Sequence, residues 1–251
     1  MTSTAGDPAG EQQALGGQTV GVIGGSAGIG LEVARRSRAD GADVIVTGRD
    51  PERLERAASE LGAVGSAAFD ADDPDALGQF FQGLPTPVDH VMVTAGRPTY
   101  GRVADMDHEQ LRRALDGHLM LALEVARNAP GNVRPGGTLL FMGGTGARRP
   151  GVGLAIASTV TVAMPALVAS LALELAPIRV NLIAAGFVDT PLSASLLGDR
   201  LDERRDELRA TLPIGRVVGP ADVAALAVHL MTNTALTGAT YDIDGGQQLV
   251  S

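Results

Sequence analysis

Residues 18–36, QTVGVIGGSAGIGLEVARR, decide the fold. A short apolar run with β-branched residues ends in Gly24-Gly25-Ser26-Ala27-Gly28-Ile29-Gly30 and passes directly into a segment of helical period. Glycines in such a turn permit a sharp reversal and let a diphosphate approach backbone N–H groups. The N-terminus of the helix that follows favours negative charge. Taken alone, the same turn also suits an ordinary strand-to-helix connection, so its weight depends on the rest of the chain.

Around this segment, strand-like runs alternate with helical ones. QTVGVIGG, DVIVTGR, GSAAFDA, DHVMVTAG, GTLLFMGG, IRVNLIAAG and TYDIDGG read as strands. Asp50-Pro51 opens one helix with a capping residue and a first-turn proline, and Asp107 with Gln110 opens another as a capping box. The alternation predicts an α/β fold: a doubly wound parallel sheet with helices on both faces and ligands at the carboxyl ends of its strands. One domain is expected over residues 18–251, preceded by a frayed tail over residues 1–17. Residues 192–213, LSASLLGDRLDERRDELRATLP, form a charged helical insertion between the last two strands and read as a lid.

Composition narrows the function. The 251 residues are 45% apolar, enough for a buried core, and the formal net charge of −9 comes without a basic stripe, so nucleic acid is not an expected partner. The chain has no cysteine, and its four histidines lack ligand spacing, so no metal is expected. The small, polar N-terminus lacks the pattern of a signal peptide, which suggests a cytoplasmic location. The apolar run over residues 154–176 is interrupted by Pro165, several Ser/Thr and Glu174, and reads as a buried helix rather than a membrane span.

The second strand ends VTGRD. Gly48 occupies the place where a carboxylate would meet a ribose 2′-hydroxyl, and Arg49 follows it. This favours the 2′-phosphate of NADP(H) over NAD(H), unless Arg49 is a solvated surface residue.

These motifs, in this order, resemble the short-chain dehydrogenase/reductase superfamily, a Rossmann-type fold, from about Gln18 to the C-terminus. The family's Thr-Gly-x-x-x-Gly-x-Gly turn corresponds to residues 23–30, with Ile23 in place of the threonine. By resemblance Gly24, Ser26, Gly28, Ile29 and Gly30 cradle the cofactor, Asp70 contacts adenine, and Ala95 and Gly96 close the Asn-Asn-Ala-Gly-like strand end. In RVNLIAAGFVDTPL, Gly186, Val188 and Thr190 stand where the family seats the nicotinamide, with Ala185 in place of a proline.

The family's Asn-Ser-Tyr-Lys catalytic tetrad is missing. Counting back from LALELAPIRVN places the tyrosine position at Ala157 and the lysine position at Thr161. Counting forward from GTLLFMGG puts the serine position at Gly144 and reaches Ala157 again. The asparagine position is His118. The absent Tyr and Lys imply a wide pocket, and Pro165, unable to donate to the Thr161 carbonyl, implies a kink beside it.

His118 is therefore the first candidate for proton transfer, as the side chain that titrates near neutral pH, although a hydrogen-bonded core histidine is the alternative. Tyr100, just past the fourth strand, is placed to orient an oxygen or simply to pack. Thr145 and Ser158 neighbour vacated positions without a visible base. Arg97 either meets an anionic substrate or faces solvent.

Three functions remain open. One is an atypical NADP(H)-dependent oxidoreductase acting on a small-molecule carbonyl or alcohol. The second is a catalytically silent cofactor-binding subunit, and the third a non-redox lyase, isomerase or cyclase on the same scaffold. The resemblance also implies a homodimer or homotetramer.

Overall fold

The computed structural model describes residues 13–250. Strands β1 (Thr19–Ile23), β2 (Asp43–Gly48), β3 (Gly65–Ala68), β4 (Val88–Val93), β5 (Val133–Gly144), β6 (Arg179–Ala185) and β7 (Thr240–Ile243) all pair in parallel, in the order β3-β2-β1-β4-β5-β6-β7. The strand order reverses between β1 and β4, and there the crossover helices diverge to opposite faces and leave a crevice at the carboxyl ends.

Both faces of the sheet are covered. On one, α1 (Gly28–Ala39), α2 (Pro51–Leu61) and α8 (Pro220–Thr232) pack over Val20, Val22, Val44, Val46, Leu140 and Ile183. On the other, α3 (Pro74–Gln82), α4 (His108–Asn128) and α5 (Ala155–Glu174) pack over Ile23, Val91, Val93, Leu139, Phe141 and Leu182. Burial on both sides explains why the inner strands read as nearly continuous apolar runs, whereas the edge strands β3 and β7 are only partly buried. The expected caps form: the Asp50 carboxylate accepts from Arg53 N at 3.0 Å, and Asp107 and Gln110 close a reciprocal capping box.

One expectation needs adjustment. Of the anticipated tail, residues 1–12 lie outside the described residues, but residues 13–17 form a turn that Leu15 anchors to the domain. Leu15 is fully buried, and its N–H donates to Asp40 O at 2.9 Å. A single leucine among polar residues carries no periodicity, so only its contact with the α1–β2 connection reveals it. Helix α5 continues as one element past Pro165, where the sequence leads one to expect a kink.

The insertion before α8 is helical, with α6 (Pro191–Leu197) and α7 (Leu201–Thr211). Helix α5 is apolar on both sides. Met164, Val168 and Leu171 enter the core, while Val162 and Leu173 are exposed at 65% and 83%. Its length and mean hydropathy of 1.9 would suit a membrane-spanning helix by composition, but one side of it packs against β5, β6 and α4 while the other stays exposed.

Candidate active site

The turn after β1 is held by Thr94, whose N–H and hydroxyl both donate to Ile23 O, at 2.8 and 3.3 Å, and whose hydroxyl also reaches Gly24 O at 3.1 Å. This brings the ends of β1 and β4 together and seats the first turn of α1 on the strand. A β-carbon at Gly30 would lie 2.3 Å from Gly24 O and 2.5 Å from Thr94 Oγ1, so only glycine lets the helix begin this close to the sheet. The first N–H groups of α1 are thereby held at the crevice.

At the outer end of the groove, Ser26 is buried beneath Gly48. A β-carbon at position 48 would stand 2.7 Å from Ser26 Oγ, so the place where a carboxylate would reach a ribose is filled by the serine. Arg49 is exposed at the strand end, and its charge acts on Asp72 across the β3–α3 loop. Arg53, on the first turn of α2, directs Nε to Ser26 Oγ at 3.4 Å. The exposed Asp70 carboxylate accepts from Asp72 N at 3.3 Å.

Inward from the turn lies a cavity of about 560 Å³. Gly24, Gly28, Ile29, Gly30, Ala95, Gly96, Gly186, Val188 and Thr190 all border it, as do Tyr100 and His118. Ser26, Arg49 and Asp70 do not. Gly144, Ala157 and Thr161 share the cavity wall with His118, so the four positions that the tetrad would occupy converge on one space.

The cavity's chemistry is sparse. Its ionisable lining side chains are His118, Tyr100 and Arg204, with no carboxylate and no lysine among the described residues. Burial lowers the pKa of His118 below the ordinary histidine value, opposed by the negative charge of Asp72. The neutral imidazole therefore predominates at neutral pH. Burial raises the Tyr100 phenol, which keeps it protonated. Arg204 pairs with Glu207 at 2.6 Å. Thr145 and Ser158 do not line the cavity, and their buried hydroxyls have no partner. Arg97 is exposed.

From the helical insertion expected to act as a lid, Leu192, Leu196 and Leu197 line the cavity. Thr190 caps α6 by accepting from Ser193 N at 3.2 Å, and the Ser193 hydroxyl donates to Val188 O. Arg205 of α7 grips Asp189 with two hydrogen bonds, at 2.8 and 2.9 Å, fastening the lid to the segment after β6. Gln247 braces that segment from the C-terminal end by accepting from Phe187 N at 2.9 Å.

Sequence reasoning missed Arg53, Asp72, Arg204 and Gln247. Arg53 follows Arg49 by four residues across the start of α2, a proximity that was available to read. The other three reach the site only through loop and lid placement.

Comparison with known proteins agrees with this geometry. A family model described as enoyl-(acyl carrier protein) reductase matches residues 23–248. The chain belongs to the short-chain dehydrogenase/reductase family. A short-chain dehydrogenase/reductase of Stachybotrys chlorohalonatus is 29% identical over 248 residues, covering 92% of this chain and 96% of the relative. The solved structure of the MalC reductase/Diels-Alderase from Malbranchea aurantiaca superimposes with a TM-score of 0.87 at 26% identity, covering 95% of this chain and 99% of that one. A small-chain dehydrogenase solved in complex with NADPH gives a TM-score of 0.77 at 26% identity, over 92% of this chain and 99% of that one. Members of this oxidoreductase family bind a nicotinamide cofactor on this fold, and the side-chain-free cradle of the glycine turn fits one.

Proposed function

We propose that the protein is an atypical NADP(H)-dependent oxidoreductase acting on a small-molecule carbonyl or alcohol, with His118 handling the proton. The observation that carries this reading is the continuity of one cavity from the glycine turn to His118 and the lid. NADP(H) would supply or accept the hydride. The glycine turn and the first N–H groups of α1 would hold its diphosphate, Arg49 and Arg53 its 2′-phosphate, and Val188 and Thr190 the nicotinamide end. The lid leucines exclude water. His118, neutral by burial, accepts a proton from an alcohol; when protonated, it returns one to the oxygen of a reduced carbonyl. Tyr100 orients the oxygen.

The test pairs calorimetric titration of NADPH and NADH with NADPH consumption over a carbonyl panel. Tighter NADPH binding together with turnover supports the proposal. Tight binding without turnover over a broad panel points instead to a silent cofactor-binding subunit.

A non-redox reaction is favoured by a separate observation: Ala157 and Thr161 leave the α5 side of the cavity without an acid or base, and one structural relative is named a reductase/Diels-Alderase. Conversion independent of NADPH would establish that second reading.

We further propose that α4 and α5 meet a second copy of the chain. Leu115, Met120 and Leu123 of α4 are exposed beside the apolar outer face of α5, and covering such a patch drives association. Sedimentation showing only monomer at micromolar concentration removes this proposal.

A further inference from the structure

Helix α5 turns a single stripe toward the cavity: Ala157, Val160, Thr161 and Met164, spaced by three, one and three residues, all line it. Pro165, four residues after Thr161, lies inside the same helix and is not itself among the residues that line the cavity. Proline has no backbone N–H, so the Thr161 carbonyl cannot receive the hydrogen bond that residue i+4 normally supplies. A carbonyl that lacks this bond keeps its full accepting capacity, and leaving it unpaired in a largely apolar wall is costly.

The Thr161 side chain adds a second free group. On the same helix, the hydroxyls of Thr159 and Ser170 donate to the carbonyls four residues back, Ala155 O at 2.9 Å and Ala166 O at 3.0 Å. The Thr161 hydroxyl makes no such bond and has no protein partner among the described residues, while its side chain borders the cavity. One residue thus carries an uncommitted hydroxyl and a carbonyl released by Pro165, with Ala157, Val160 and Met164 as its apolar neighbours on the stripe.

We infer that Thr161 and Pro165 together form a ligand-anchoring site on α5, which takes a hydroxyl group donated by a molecule in the cavity. A carbonyl only accepts, so its partner must be a donor; the threonine hydroxyl both donates and accepts, which suits an alcohol or a pair of neighbouring hydroxyls. Two molecules offer this chemistry: the nicotinamide-side ribose of the cofactor, and a hydroxylated substrate. The first source rests on the cofactor reading given above; the second stands without it.

Two substitutions test the site without dismantling the helix. Thr161→Val keeps the branched shape and removes the hydroxyl. Pro165→Ala restores an N–H that occupies the Thr161 carbonyl, and as a proline-to-alanine change inside a helix it should raise the thermal midpoint. NADPH and adenosine 2′,5′-bisphosphate, which lacks the nicotinamide half, are titrated against each variant. A loss of about tenfold in NADPH affinity, one hydrogen bond's worth, with the bisphosphate unchanged, assigns the anchor to the cofactor ribose. Unchanged NADPH binding with a comparable loss for 2-naphthol but not for 2-methylnaphthalene, measured on NADPH-saturated protein, assigns it to a substrate hydroxyl.

Unaltered affinities for NADPH and 2-naphthol in both variants overturn the inference. So does an equal loss for the bisphosphate, since the effect would then be general. If the wild-type protein binds no NADPH, the cofactor reading falls, and the naphthol pair measured on the protein alone decides the anchor by the same criterion.

Discussion

The imidazole of His118 packs against the α-carbon of Gly96: a β-carbon at position 96 would lie 3.2 Å from both Cε1 and Nε2 of the ring, and Gly96 has a φ of +104°. The loop after β4 therefore forms the floor on which the candidate proton carrier rests. Gly96→Ala should strain the backbone and push the ring off its seat at once, at a stability cost on the order of 1–3 kcal/mol. The measurement is urea denaturation alongside turnover. Unchanged turnover in a folded Gly96→Ala protein would show that the ring's position is immaterial to the reaction.

His118→Gln keeps polarity while removing the titration, and should lower turnover by roughly 10²–10⁴ with NADPH affinity nearly unchanged. The direction of the pKa shift sets the pH profile. Because burial holds the folded-state value below 6.5, carbonyl reduction, which needs the protonated ring, should decline with rising pH through a midpoint under 6.5. Alcohol oxidation, which needs the neutral ring, should rise over the same window. The variant should lack both limbs, and a rate within a few-fold of wild type would eliminate His118 as the proton carrier.

Arg53 lies against Ser26 at the same strand end as Arg49. Arg49→Ala and Arg53→Ala should each weaken NADPH binding by about 1.5–3 kcal/mol and leave NADH binding nearly unaffected, because the lost contact is to the 2′-phosphate alone. Parallel calorimetry with the two cofactors is the check. Equal losses for both would place these arginines elsewhere.

Asp189→Asn removes the carboxylate that Arg205 grips and should loosen α7 from the segment after β6. Backbone amides of α7 should exchange faster with deuterium, and substrate KM should rise more than kcat falls, since the lid shapes the cavity without entering the chemistry. Unaltered exchange in α7 would show that other contacts hold the lid.

His90 is buried on β4, pairs with Gln18 Oε1 at 2.6 Å through Nε2, and has no partner at Nδ1. Burial lowers its pKa to about 4. In the unfolded chain the ring protonates near pH 6.5, so stability should be insensitive to this group above that pH. It should then fall as pH drops from 6.5 toward 4, by about 3 kcal/mol in all, and level off once the folded ring protonates too. Denaturation midpoints across this range, compared with His90→Phe, isolate the contribution.

Much of the architecture was legible because its determinants are local. All seven strands were expected where they occur: the five inner ones leave dense apolar runs, while the short edge strands β3 and β7, only partly buried, were read from their β-forming residues and flanking turns. Leu15 was missed because one apolar residue has no period. The site was legible where the family resemblance supplies a register: Gly144, Ala157, Thr161 and His118 were placed by counting along the family's motifs, and they share one cavity. Asp72, Arg204 and Gln247 were not, because each comes from a different loop or helix and nothing in their local sequence points inward.

Covalent order alone determined that this chain has no tyrosine or lysine on α5, that Pro165 withholds an N–H from Thr161, and that Gly48 and Arg49 end the second strand. These follow from residue identity and short-range periodicity, which require no partner. Only the tertiary structure decided that Ser26 packs against Gly48, that His118 rests on Gly96, that Asp72 acts on that histidine, and that Arg205 ties α7 to Asp189. Each joins residues from separate elements, and both burial and charge depend on the three-dimensional approach of groups whose separation along the chain says nothing of their distance.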